Sequence, residues 1–392
     1  MAGCFAGAAP GTAWRRTNED PELFAERERE GEDEPESSLE GYGRAAWRKV
    51  PPRGRASSSC RSNPIVMPEL PLPRGPVSSY LFASLRQARH QLSAPSVCSE
   101  DAVVDEDLQL ALYCCYELHY RGFSGVTGDW EWEPSLIAFR SELEELFERQ
   151  LRLSLPDYWN VAAGEVREAL WDLSQGGGFS LSEWLSEHGN RFHAEEFAIH
   201  RSAYQLKEAD PHSWGIPRLT GRAKAAMVMI QSDEYGNGKP REMHASLFAD
   251  AMSALGLDPT YGTYVDLIPA VTLATTNLIS MFGLHRRLRG ALVGHLASFE
   301  MNSVGPMGRY SSWLESLGVP VEGRRFYDVH VEADEVHQYV AVNELVGGLL
   351  EDEPDQAAAV MFGARAAAFV ESAFAGHVVS AWKSDRSSLW TP

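Results

Sequence analysis

Apolar residues recur every third or fourth position through most of the chain from about residue 76 onward. VSSYLFASLRQARHQL, DEDLQLALYCCYELHYRGF, EPSLIAFRSELEELFERQLRL and VREALWDLSQ each place them at i, i+3/i+4 and i+7, the spacing of one face of a helix. Asp105 stands where an N-cap belongs for the second, and the glycine run 176–178 breaks the chain after the fourth. SLSEWLSEHG follows. The run DLIPAVTLATTNLISMFGLHRRLRGALVGHLASFEMNS reads as two long apolar helices meeting near Gly283 or Gly290. PDQAAAVMFGARAAAFVESAFAGHVVSAW reads as a long, Ala-rich, buried helix. Nothing alternates at period two long enough to require a sheet, so the pattern predicts an all-α fold.

Residues 1–75 differ in composition. An acidic block, RTNEDPELFAEREREGEDEPESSLE, precedes the basic, Pro/Ser-rich RKVPPRGRASSSCRSNP. Such a segment buries too little apolar surface to offset its ordering entropy and is expected to be a disordered N-terminal extension. Met67, which opens MPELPLPRGPVSSYLF, is an alternative start. The rest divides into accessory helices over 76–190, packed on a helical core over 191–385.

With 392 residues, 44% of them hydrophobic, eleven Trp and sixteen Phe, the chain can build a substantial core. A net charge of −20 opposes nucleic acid or an anionic membrane as partner. No apolar run approaches about 18 residues, and none is flanked as a membrane span would be. MAGCFAGAAPGTAWRR has no basic start and too short an apolar stretch for a secretory signal, so the expected location is cytoplasmic. Five cysteines, without a Cys-x-x-Cys, suit neither a disulfide framework nor a zinc ribbon. Cys114 and Cys115 read as small buried hydrophobes.

The chemistry is concentrated late in the chain. In RRFYDVHVEADEVHQYVAVNELVGGL, His330 and Asp334 stand at i and i+4. On a helix that spacing stacks them on one face, where both reach a single divalent ion. His337 shares the stripe, and Val336, Val340 and Leu345 lie near it, which turns the polar groups inward. For the pair taken alone, the plainer explanation is a His–Asp hydrogen bond inside a helical core. Four further oxygen or imidazole donors lie upstream: Glu208, Glu234, His244 and Glu300. A donor set of three Glu, two His and one Asp, without thiolate, suits iron or manganese better than structural zinc. Each carboxylate has a plainer explanation too. Glu208 and Glu234 can be helix-end residues in water, and Glu195 and Glu196 compete with Glu208. Glu300, following Phe299 in an apolar helix, is harder to place in solvent.

The stretch from Glu208 to Asp334, with LKEADPHSWGIPRL, QSDEYGNGKPREMHASLF, SFEMNS and HVEAD, resembles the haem-oxygenase-like diiron oxidases, often called iron-containing redox enzymes. The resemblance covers roughly residues 185–380. It implies a haem-oxygenase-like helical bundle and a metal set of Glu208, Glu234, His244, Glu300, His330 and Asp334. It also implies two ferrous ions per chain, dioxygen as co-substrate, and N-oxygenation, desaturation or oxidative carbon–carbon cleavage of a small organic substrate. Ferritin-like bundles are a poorer match, because no Glu-x-x-His occurs in the chain. Haem is not expected, since it needs no six-ligand set.

Beyond the ligands, Tyr204 and Arg201 lie one and two turns before Glu208, with Arg201 a candidate for holding a substrate carboxylate. His337 is a candidate for orienting His330 or Asp334, or for touching substrate. His212 reads as part of a loop or cap. The expected partners are a small-molecule substrate and an external electron donor, and a homodimer is compatible with the pattern. The alternative is a non-catalytic or cofactor-free small-ligand-binding protein of the same fold.

Overall fold

The computed structural model describes residues 67–391 except 96, 98, 156–160 and 177. Up to residue 66 the expected disordered extension lies outside the described residues. Its last part, residues 67–75, runs without helix along the body: Leu70 is buried, and Arg74 pairs with Glu106 at 2.6 Å.

Among the described residues the fold is all-α, without a strand. The helices are α1 (Pro76–Leu85), α2 (Glu106–Glu117), α3 (Pro134–Ser154), α4 (Val166–Ser174), α5 (Leu181–His188), α6 (Arg191–Gln205) and the single turn α7 (Asp210–Ser213). They continue as α8 (Gly221–Glu234), α9 (His244–Ala254), α10 (Ala270–Leu284), α11 (Arg289–Ser316), α12 (Val321–Tyr339), α13 (Gly347–Asp352) and α14 (Ala357–Trp382). Asp105 caps α2 by accepting from the amides of Asp107 and Leu108. The two apolar helices expected around Gly283 and Gly290 are α10 and α11, joined by a short 3-10 turn at Arg286–Leu288.

Three groups of buried apolar side chains hold the bundle. One joins α1, α2 and α3 to α10 and α14 through Phe82, Tyr113, Phe147, Leu278 and Phe362. A second packs α5, α6 and α9 against the C-terminal half of α11, the start of α12 and the end of α14. The third joins α4 and α8 to the first half of α11, the start of α14 and the chain after α12. At the centre, α11 and α14 approach so closely that a Cβ on Gly294 would overlap the Val360 carbonyl, and one on Gly363 the Ala291 carbonyl. Only glycine fits at both places, and that contact fixes the helix that carries Glu300.

Two expectations are corrected. By length and composition alone α14 is apolar enough to cross a membrane, although no run was expected to be; 56% of its most apolar window is buried inside the bundle, where it acts as a core helix. The inward-facing stripe on α12 includes His330, Asp334 and His337 but not Val336, which is 53% exposed.

From Val340 to Val346 the helix widens into a π-helix before resuming as α13. The reason lies in the apolar spacing. Val340 and Ala341 are followed by Leu345 and Val346, five positions later, all buried in the third core group. A strict α-helix cannot keep residues five apart on one face; one extra residue in the turn does so.

Candidate metal centre

α12 brings three polar side chains to the middle of the bundle. Gly323, Phe326, Tyr327, His330, Asp334 and His337 form one buried stripe along it. Opposite are Glu234, the last residue of α8, and His244, the first of α9. Glu300 comes from α11, while Glu208 projects from the turn between α6 and α7 rather than from a helix end. All six expected donors therefore converge. Glu208, Glu234, Glu300, His330 and Asp334 line one cavity of about 60 Å³, and His244 stands behind Glu234 with its Nδ1 2.9 Å from Glu234 Oε2.

The donors form two groups with a shared member. Glu208, Glu234, His244 and His330 each offer an atom within 4.8 Å of the others, and so do Glu234, Glu300 and His337. Asp334 stands beside the second group, its Oδ1 3.4 Å from His337 Nδ1. His337 is thus placed among the donors themselves, a stronger position than the supporting one expected for it. The i, i+3 spacing from Asp334 to His337 was the signal for that.

Imidazole orientation follows from outward hydrogen bonds. His330 Nδ1 lies 2.6 Å from the Phe326 carbonyl, which only accepts, so Nδ1 carries hydrogen and Nε2 is turned to Glu208, 3.7 Å away. His337 Nε2 donates to Asp233 Oδ2 at 3.0 Å, which leaves Nδ1 facing Glu300 Oε2 at 3.3 Å. Both are arrangements that fix the tautomer of a metal-binding histidine.

The electrostatics call for cations. Burial works against a charged His330, but Glu208, Glu234 and Asp334 outweigh it and lift its pKa to about 10. Against the same burial, Asp334, Glu300 and Asp233 raise His337 to about 11. Burial, with the charges of Asp334 and Glu234, pushes Glu300 up to about 8 despite His337. Glu234 goes the other way: burial would raise it, yet His244, His330 and His337 bring it down to about 2. Protons on imidazoles are here compensating buried carboxylates.

The residues fit a metal. Glu208 Oε2, His244 Nδ1, Asp334 Oδ1 and His337 Nδ1 are buried without a hydrogen-bond partner. His244 Nδ1 is near Glu234, and His337 Nδ1 near Glu300, but neither pair is aligned for a hydrogen bond. Buried polar atoms left unpaired cost roughly 1–3 kcal/mol each, so their gathering in one place points to a missing common partner. Four carboxylates and three imidazoles without thiolate match iron or manganese.

Other candidates separate clearly. Tyr204 lines the cavity. Arg201 does not: it is held by Glu371 through two hydrogen bonds of 2.9 and 2.8 Å and lies over the Phe374 ring, so no substrate carboxylate is within its role. Glu371 lies 170 residues away in the chain, beyond reach of local patterning. Glu195 pairs with Arg191, and Glu196 is consumed by Trp382, Ser387 and Ser388 near the C-terminus. His212, read as a loop or cap residue, lines the cavity, with Nε2 3.2 Å from His295 Nδ1. Leu296, Phe299 and Met307 supply the apolar wall. A larger surface groove of about 550 Å³ beside Trp171 and Tyr339 contains none of the candidate ligands.

No curated protein matches the chain. A family model does: residues 195–372, the stretch from α6 into α14 that holds every donor named above, match the model of the iron-containing redox enzymes, to which that stretch is similar.

Proposed function

We propose that the protein binds two iron ions per chain and uses dioxygen to oxidise a small organic substrate. The observation that carries this reading is the pair of buried donor groups sharing Glu234, with unpartnered atoms facing one another. Glu208, Glu234, His244 and His330 would hold one ion; Glu234, Glu300, Asp334 and His337 would hold the other. Ferrous iron bound there would supply the electrons and the open coordination positions that dioxygen reduction requires.

The protein's own part is to fix that set and control what enters. Glu234 would bridge the two groups. Phe326 and Asp233, by holding His330 and His337 from behind, keep their inner nitrogens available. Leu296, Phe299 and Met307 exclude water from one side of the cavity, while Tyr204, His212, Gln231 and Ser303 add polar side chains to its wall beside the donors. His212 is neutral near pH 7, because burial lowers its pKa to about 4, so it can accept or share a proton but brings no charge. Among the described residues no Lys or Arg lines the cavity, which favours substrates whose buried portion is not an anion needing a side-chain cation. N-oxygenation, desaturation and carbon–carbon cleavage all remain within this chemistry.

The test is iron content of anaerobically reconstituted protein, followed by oxygen exposure with visible absorption recorded in the same cuvette. About two irons per chain and an oxygen-dependent absorption change support the proposal. Absence of bound iron would overturn it in favour of a metal-free ligand-binding protein.

A further inference from the structure

The turn that presents Glu208 is gripped from outside the family segment. Lys207, the residue before it, points away from the cavity and is only 1% exposed. Its Nζ lies 2.9 Å from Glu117 Oε2 at the end of α2, and Glu117 is itself fully buried. Tyr261, from the loop between α9 and α10, sets its hydroxyl 2.7 Å from both Glu117 oxygens. The Lys207 ammonium also lies over the Tyr120 and Tyr113 rings, 4.4 and 4.9 Å from their centroids. Just past α2, Arg121 donates to the Leu206 carbonyl at 3.1 Å and stacks over Tyr261. On the other side, Gln231 of α8 donates to the Ala209 carbonyl at 2.7 Å. Residues 206, 207 and 209 are each held by a different element, with Glu208 between them.

The backbone needs holding. Ala209 adopts φ 73°, the left-handed conformation that a residue with a Cβ avoids, at roughly 1–3 kcal/mol. A buried ion pair is an expensive way to stabilise a core, since its desolvation often exceeds its attraction and apolar replacements of similar volume do as well. Its distinctive property is geometric: charge and hydrogen bonds define one position. We infer that Glu117, Lys207 and Tyr261 are positioning residues for the metal centre, setting the Glu208 carboxylate from the accessory helices. α2, outside the matched segment, is then part of the metal site.

This rests on the two-ion reading and makes a selective claim. Glu208 belongs to only one donor group, so loosening its turn weakens one ion and spares the other. The experiment is anaerobic titration with ferrous iron against a chelator, on full-length wild type, Lys207→Met, Tyr261→Phe and a control, Glu196→Gln, taken from the C-terminal network. Circular dichroism and melting of each metal-free protein accompany it. Lys207→Met and Tyr261→Phe are expected to bind one ion about 10-fold or more weakly, the usual effect of removing a residue behind a ligand, with the second ion and the control unchanged. Unchanged affinity for both ions in either folded variant overturns the inference. Equal weakening of both also overturns it, because that is the mark of general destabilisation. If Lys207→Met does not fold, Tyr261→Phe decides the question alone. Wild type that binds no iron defeats the two-ion reading itself, a result distinct from the others.

Discussion

His330 turns one nitrogen to the carbonyl of Phe326, one helical turn earlier on α12, and the other toward Glu208. The helix backbone thus chooses the tautomer. The same helix offers Asp334 and His337 on the same face, so a single stripe serves both donor groups.

The shared donor predicts an unequal mutant series. Glu208→Gln and His337→Ala are each expected to reduce iron from about two ions to about one, because each belongs to one group. Glu234→Gln removes the common member and is expected to leave less than one. Iron per chain after anaerobic reconstitution and desalting measures this; equal losses in all three would contradict the shared role.

Asp233 holds His337 from outside the set at 3.0 Å. Asp233→Asn keeps the size but removes the charge behind the imidazole. Affinity for one ion is expected to fall about 10- to 100-fold, with little change in melting temperature. Chelator competition on the variant gives the answer directly.

Histidines buried without charge predict acid sensitivity. His212 titrates near 4 in the folded protein because burial disfavours its cation, against an ordinary value near 6.5. Between those values the unfolded chain binds a proton that the folded one refuses, so stability is full above about 6.5 and is lost as pH falls toward 4. His212→Asn should lack this loss, and its stability relative to wild type should improve by up to about 3 kcal/mol between pH 7 and 4. Urea unfolding of the metal-free proteins at both pH values checks the sign.

The C-terminal strap offers a separate test. Glu196 accepts from Trp382 Nε1 at 2.7 Å, from the Ser388 amide at 2.9 Å and from both serine hydroxyls. Glu196→Ala leaves several buried donors without an acceptor and is expected to cost about 3 kcal/mol. Iron content should remain unchanged, since none of these groups lines the cavity.

Much of this architecture was legible in local spacing. The helical periods, the Asp105 cap and the break between α10 and α11 are properties of neighbouring residues, and period and punctuation record them. The i, i+4 pair His330 and Asp334 was visible for the same reason. What escaped depends on partners distant in sequence: Glu371 for Arg201, His295 for His212, and Glu117 for Lys207, 90 positions away. Local pattern places a side chain on a face but does not say what meets it there. Glu208 shows the limit well, since it reads as a helix-end carboxylate but sits in a turn whose hold comes from α2.

The widened turn at Val340–Val346 acts as an expansion joint, taking up one residue without rotating one half of the helical rod against the other. Upstream the rod presents nitrogen and oxygen; downstream it presents Val340, Ala341, Leu345 and Val346 to the apolar core. In an ordinary α-helix each residue advances the face by about 100°, so without the wide turn the inserted position would rotate chemistry against anchor. Deleting a single residue such as Asn343 would return the segment to ordinary α-helix with Val340 and Leu345 four positions apart, so the His330–Asp334–His337 face keeps its direction toward Glu234. Such a protein is expected to keep both its helical circular dichroism and its iron: the centre tolerates a shorter count of residues beyond it when the width of the turn changes with that count.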